Sequence, residues 1–249
     1  MEQDIGRLIA ECIEHSGLNS RQVASRAGVS ASTVHRILNG QVSPSVATLQ
    51  NITAAAGLDL TMSAAPLAAP AAAAAARAIL DEHYPAEVAA DIDLWADRLD
   101  GWTDGDPVQI VEEAGGASGV LHRPGAVRLS GEATIGRLAS AADTSGQRWA
   151  LSGAAGLELP SFDEAVPRIS VLWCEDPSAV RPLLSGGSLR PASAPHRTTV
   201  VIAAAEPDLF LGAFERDRVT YAAPIQIAID AISVGGDAAD RAREEIRTW

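Results

Sequence analysis

The stretch GLNSRQVASRAGVSASTVHRILNG, Gly17–Gly40, decides how the N-terminal part of the chain folds. Asn19 is placed to cap a first short helix, because its side-chain oxygen can accept from backbone N–H groups that lack a helical partner. Val23, Ala24 and Ala27 then recur on one helical face. Gly28 supplies a residue free to take positive φ where that helix must stop. Ser30 caps a second helix whose buried stripe is Val34, Ile37 and Leu38, and Gly40 ends it. Two short amphipathic helices joined by a turn of about three residues form a helix-turn-helix, whose second helix has the size of a DNA major groove.

The pattern extends outward on both sides. Ile5, Leu8, Ile9, Cys12 and Ile13 predict a helix over residues 3–16. Downstream, Ser43 is expected to cap a fourth helix with Pro44 at its first position. Val46, Leu49, Ile52 and Ala56 are its expected buried face, Gly57 its stop, and the domain closes near Leu60. With Val23-Ala24, Arg26-Ala27-Gly28-Val29-Ser30, Ser32-Thr33-Val34, Ile37-Leu38-Asn39-Gly40 and Ser43-Pro44-Ser45, residues 5–60 resemble the helix-turn-helix domain of the XRE and phage-repressor class. Ser20 departs from that class, which often carries glutamine there. The resemblance implies an all-α, lambda-repressor-like fold that binds a specific duplex site. Ser30, Ser32 and Thr33 would then present hydroxyls to base edges, with His35 and Arg36 a turn further on. Arg36 can reach a guanine or a phosphate, while Arg21 and Gln22 would face the DNA backbone.

Composition sets the background. The 249 residues are 47% hydrophobic and 20% charged, enough for two folded domains. All 19 basic residues are arginine. A net charge of −13 argues against a general nucleic-acid binder, but the acid is unevenly placed. Residues 1–62 hold four arginines against five acids, a net of −1, and the remainder carries −12. A near-neutral reader depends on a limited set of phosphate contacts. Cys12 and Cys174 form neither a disulfide framework nor a ligand cluster, and no signal or membrane-spanning pattern stands out, so a cytoplasmic protein is expected.

Residues 63–78 begin SAAPLAAPAAAAAA and read as an alanine- and proline-rich linker that packs on neither neighbour. Beyond it, Pro85 is expected to open a helix striped by Val88, Ile92, Trp95 and Leu99 and ended by Gly101. Residues 107–113 suit a strand or a helix. Residues 118–128 read as two short strands about the turn Arg123-Pro124-Gly125. Residues 131–142 suit a helix facing inward through Ile135, Leu138 and Ala139. Residues 147–155 run from a strand into a helix start at Ser152. Residues 169–173, 198–203 and 219–221 are strand-like. Residues 223–232 are helical, with Pro224 at the start and Ile225, Ile229 and Ile232 on one face. After Gly235-Gly236 comes a closing, mostly charged helix. Trp95, Trp102, Trp149 and Trp173 are expected in the core.

Leu151-Ser152-Gly153, the strand around Val171 and the run Tyr221-Ala222-Ala223-Pro224-Ile225-Gln226-Ile227-Ala228-Ile229-Asp230 carry a second resemblance. Over residues 147–247 the chain is similar to the AbiEi antitoxin family, which ends in a Pro-x-Gln-x-x-x-Asp helix, a glycine break and an alanine-rich helix. Gly235-Gly236 and Ala238-Ala239 fill the last two roles. The resemblance implies the DNA-binding partner of a nucleotidyltransferase-like toxin in a type IV toxin–antitoxin pair.

Catalytic patterns are weak by comparison. Asp91-Ile92-Asp93 has the Asp-x-Asp form of metal-dependent nucleotidyltransferases, yet it lies in a stripe of helical period, where residues two apart do not face each other. His15, His35, His83, His122 and His196 show no ligand spacing, and Ser185-Gly186-Gly187-Ser188 suits a flexible turn better than an anion cradle. The expectation is therefore an all-α helix-turn-helix domain at 1–62, a linker at 63–78 and an α/β or α+β domain at 79–249. The expected function is a regulator that binds double-stranded operator DNA, its site an inverted repeat read by a homodimer, with no catalytic residues, metal or cofactor. The alternatives are a ligand-sensing repressor or a nucleotide-binding enzyme carrying an accessory helix-turn-helix.

Overall fold

The computed structural model describes residues 5–81, 84–85, 89–157, 168–185 and 188–248. Contacts divide the chain into two units, Met1–Ala65 and Pro66–Trp249.

The first unit is all-helical: α1 (Ile5–Ser16), α2 (Ser20–Arg26), α3 (Ala31–Leu38) and α4 (Val46–Ala55). Ile9, Val23, Ala24, Val34, Ile37 and Ile52 close one core. Gly28, at φ 69°, turns the chain between α2 and α3, a conformation that would strain any residue with a Cβ. The fourth helix starts later than its sequence suggests. Ser45, not Ser43, is the cap, accepting from Thr48 N–H, and Pro44 lies outside the helix. Val46 then takes the first helical position and is 48% exposed rather than buried. Periodicity gives a helix its face but not the point along its axis where the core ends.

The second unit holds seven helices and seven strands among its described residues: α5 (Pro70–Leu80), α6 (Ala90–Thr103), α7 (Pro107–Ser118), β1 (Val127–Ser130), α8 (Ile135–Thr144), β2 (Trp149–Gly153), β3 (Ser170–Cys174), α9 (Pro177–Leu184), β4 (Arg190–Pro191), β5 (Val200–Ala204), β6 (Phe214–Arg216), β7 (Val219–Tyr221), α10 (Pro224–Val234) and α11 (Gly236–Ile246). The strands form one mixed sheet in the order β4-β1-β5-β3-β2-β7-β6. β3 runs parallel to β5, and β2 parallel to β7, while β2–β3 is antiparallel with Leu151 opposite Leu172. The unit is thus α+β. Leu172 and Cys174 enter a cluster with Leu138 of α8 and Val180 and Leu184 of α9. Alternate residues Val171 and Trp173 enter another with Val120 and Leu209. With both faces covered, the central strands are largely apolar instead of alternating, Ser152 of β2 being a buried exception.

The residues expected to form a passive linker are part of this core. Ala72, Ala73, Ala75 and Ala76 of α5 are buried against α6 and α7. Side chains no longer than a methyl let helix axes approach closely. Arg77, 1% exposed, locks the arrangement by donating to the carbonyls of Asp208 (3.1 Å), Leu209 (3.3 Å) and Leu211 (2.6 Å). The chain leading into α5 is pinned as well. Ala69 N–H donates to Ala117 carbonyl, and a Cβ on Gly119 would lie 1.9 Å from the Leu67 carbonyl oxygen.

Other expectations are corrected. α6 continues through Gly101 and stops at Asp104, which takes a left-handed φ of 50°. Trp95 and Leu99 are buried but Trp102 is 55% exposed, and Val88 lies outside the described residues. Residues 118–122 are the end of α7 and a 3-10 turn, so only β1 follows the 123–126 turn. Ile135, at the first position of α8, is 40% exposed. Ser152 sits inside β2, fully buried, rather than opening a helix. The charged closing helix is amphipathic, with Ala238, Ala239, Ala242 and Ile246 buried.

If α5 is core, Ala75→Glu should destabilise the second unit by about 3 kcal/mol or more, because it buries a charge without a partner. In a spacer the change would stay within about 0.5 kcal/mol. Urea denaturation of the full chain measures the difference.

Candidate nucleic-acid interface

The surface of α3 is built from its cap outward. Ser30 Oγ accepts from Thr33 N–H at 3.0 Å and lies 2.8 Å from Ser32 Oγ and 2.7 Å from Thr33 Oγ1. Three hydroxyls are therefore brought together at the N-terminal end of the helix. Ser30 and Ser32 are exposed and Thr33 half-buried. Four residues beyond Ser32, one turn along the same face, Arg36 is exposed. Val34 and Ile37, on the opposite side, are buried and hold the helix against α1 and α2.

His35 is exposed but engaged: its ring lies 3.2 Å from the amide nitrogen of Asn39 one turn later. Arg21 and Gln22 lie in the first turn of α2, both exposed. Gln22 completes a capping box. Its N–H donates to Asn19 Oδ1 at 3.0 Å, and its Oε1 accepts from Asn19 N–H at 3.0 Å. The cap thus occupies the side-chain carbonyl of Gln22 and leaves its amide donors without a partner among the described residues. Among the described residues, Arg21, Arg26 and Arg36 form no ion pair, so three guanidinium groups stay available to phosphate. Arg26, in the last turn of α2, and Asn39 were in the sequence pattern but were not singled out as site residues. Their roles depend on exposure and on a side-chain partner, which spacing does not reveal.

Residues 4–65 match the family model of a helix-turn-helix domain. That match stays within the first unit and agrees with its four helices, tight α2–α3 turn and exposed α3 ridge. A helix-turn-helix domain is the module of a DNA-binding regulator. Comparison with curated proteins and with solved structures finds no match to this chain.

Asp91 and Asp93 are both exposed in the first turn of α6. Among the described residues no group of three or more His, Cys, Asp or Glu side chains is arranged to hold a metal. His83, Gly186 and Gly187 lie outside the described residues. Cys174 is buried, its thiol pushed up to about 12 by burial and then by Asp176. No helix among the described residues is long and apolar enough to cross a membrane.

Asp230, which has no exposed surface, is the centre of a buried polar cluster. Its Oδ2 accepts from Ser152 Oγ and from Trp173 Nε1, each at 2.6 Å, and its Oδ1 accepts from Gln226 Nε2 at 2.9 Å. Burial pushes this carboxyl above the ordinary carboxylate range, against the lowering effects of Ser152, Trp173, Arg123 and Gln226. Gln226 and Asp230, two polar residues four apart on a helix rich in isoleucine and alanine, were the legible sign of this cluster.

Two predictions follow these geometries. Asn19→Ala and Ser30→Ala should each lower the stability of the first unit by about 1 kcal/mol, whereas exposed Ser32→Ala should stay within about 0.5 kcal/mol. Circular dichroism melts of the full chain distinguish the caps from the reader. For Asp230, the folded state binds its proton at higher pH than the unfolded chain. Its contribution favours folding most below the ordinary value of 3.8 and is lost as pH rises through the raised folded value. Asp230→Asn should therefore gain ground on the parent protein as pH rises from about 4 to about 8, measured by urea denaturation at each pH.

Proposed function

We propose that the protein is a sequence-specific transcriptional regulator, acting in the cytoplasm without catalysis, that occupies the operator of its own operon through α3. The observation that carries this reading is the ridge of exposed Ser30, Ser32 and Arg36 with half-buried Thr33, opposite a fully buried Val34 and Ile37. Hydroxyls both donate and accept, and a guanidinium can contact guanine bidentately, so the ridge has the chemistry of base-edge readout. Arg21, with the amide donors of Gln22, suits phosphate. A reader this small gains affinity by pairing, so two copies on an inverted repeat are the proposed bound form.

The finer proposal is that this regulator is the antitoxin of a nucleotidyltransferase-like toxin. Its support is the similarity of Leu151-Ser152-Gly153 and Pro224-x-Gln226-x-x-x-Asp230 to the AbiEi pattern. In the fold Ser152, Gln226 and Asp230 form a single buried cluster, so the similar positions share a packing role.

Arg36→Ala is expected to weaken operator binding by about 1–3 kcal/mol and to relax preference at one base position. A gel shift at fixed salt reads this, using the upstream DNA of the gene and a scrambled duplex. Equal retardation of both duplexes would refute sequence-specific reading. Growth rescue on co-expression with the adjacent reading frame tests the antitoxin role separately.

A further inference from the structure

A cavity of about 390 Å³ opens in the second unit, between α5, the start of α6 and the turn at 207–210. Gln226, Leu209 and Ala73 are its buried lining. Its rim carries the exposed carboxylates of Asp91 and Glu206 and the half-buried Asp208. Ala71, Ala73 and Ala74 line the α5 side, and their methyl side chains leave the space open.

Arg123, half-buried, also lines this cavity. Its guanidinium is stacked on the Trp173 ring with the central carbon 4.6 Å from the ring centroid. Its Nε is buried without a hydrogen-bond partner, and among the described residues none of its nitrogens has an acceptor. Arg77 is also without a partner at Nε, but its terminal nitrogens give hydrogen bonds to three carbonyls, and those of Arg123 give none. The terminal nitrogens of Arg123, held over Trp173 and giving no hydrogen bond among the described residues, are donors that a carboxylate entering the cavity would meet. Gln226 is likewise oriented. Its amide donates to Asp230, which leaves its carbonyl end for a ligand.

We propose that this cavity binds a small zwitterion of amino-acid size, its carboxylate held by Arg123 and its ammonium group by the carboxylate rim. A planar guanidinium matches a carboxylate bidentately. Asp91, Glu206 and Asp208, the last already accepting from the Tyr84 hydroxyl, outnumber the one arginine of the lining, which disfavours a doubly charged phosphate and complements an ammonium group. The volume falls within the range of small-molecule sites, about 300–1,000 Å³. The site lies wholly within the second unit and does not rest on the DNA-binding reading.

The test uses the full chain without DNA. Each free L-amino acid at about 5 mM is screened by thermal shift and then titrated by calorimetry, beside its amide, its N-acetyl derivative and inorganic phosphate. At least one amino acid should raise Tm saturably, and loss of either its carboxylate or its ammonium charge should weaken binding about tenfold or more. Arg123→Gln should abolish the shift. Because Arg123 also packs on Trp173, the paired exposed substitutions Asp91→Asn and Glu206→Gln provide the second arm: unliganded Tm unchanged, affinity down about tenfold. No shift or heat with any amino acid would overturn the proposal. So would unaltered affinity in the rim variant, or binding of phosphate alone. Operator binding measured in parallel tells a failure of this site from a failure of the reader.

Discussion

The second unit depends on a single buried carboxylate. Asp230 sits in α10 among Ile227, Ile229 and Ala231, with no access to water. Its oxygens accept from β2 through Ser152, from β3 through Trp173 and from its own helix through Gln226. These donors come from elements far apart in sequence, so the hydrogen bonds can all form only when the helix and both strands are in register. Ala150 pairs with Trp173 and Ser152 with Val171, and a one-residue slip of either strand would put the two donors on opposite faces. An apolar residue in place of Asp230 would pack without that requirement. The polar cluster is therefore better understood as specifying one arrangement than as adding much stability. Trp173 is also the platform for Arg123, so the constraint reaches the cavity wall.

The first unit solves a different problem. Its core is small, and its helices are short: seven residues in α2 and eight in α3. Helices of that length are marginal alone and need caps and tertiary contacts. Asn19, Ser30 and Ser45 supply the caps, each accepting from the N–H three residues on. Ser30 has two tasks, since the oxygen that caps the start of α3 also organises the hydroxyls of Ser32 and Thr33. Stability and surface chemistry share atoms at this position.

Legibility differed between the units for physical reasons. The caps at Asn19 and Ser30, the glycine at 28 and the stripe through Val34 and Ile37 all involve residues within one or two turns of each other. Residue type and spacing suffice to find them. In α5 the same method misled. A run of alanines with prolines reads as low complexity, yet it is the narrow surface that α6 and α7 pack against, and Arg77 within it reaches carbonyls more than 130 residues away. Ile135, Val46 and Trp102 carried the right period and still faced solvent, because each lies in the first or last turn of its helix.

The sequence by itself determined that an N-terminal helix-turn-helix forms and which residues of α3 face outward, because caps, turns and apolar period are local and one side of a short helix must be buried. It also determined most strand and helix positions in the second unit. Only the tertiary structure decided that the alanine segment is core, that Ser152, Trp173, Gln226 and Asp230 meet, and that Arg123 lines a cavity without an acceptor. Those facts arise from burial between distant segments, where the environment of a side chain is set by neighbours that spacing along the chain does not encode.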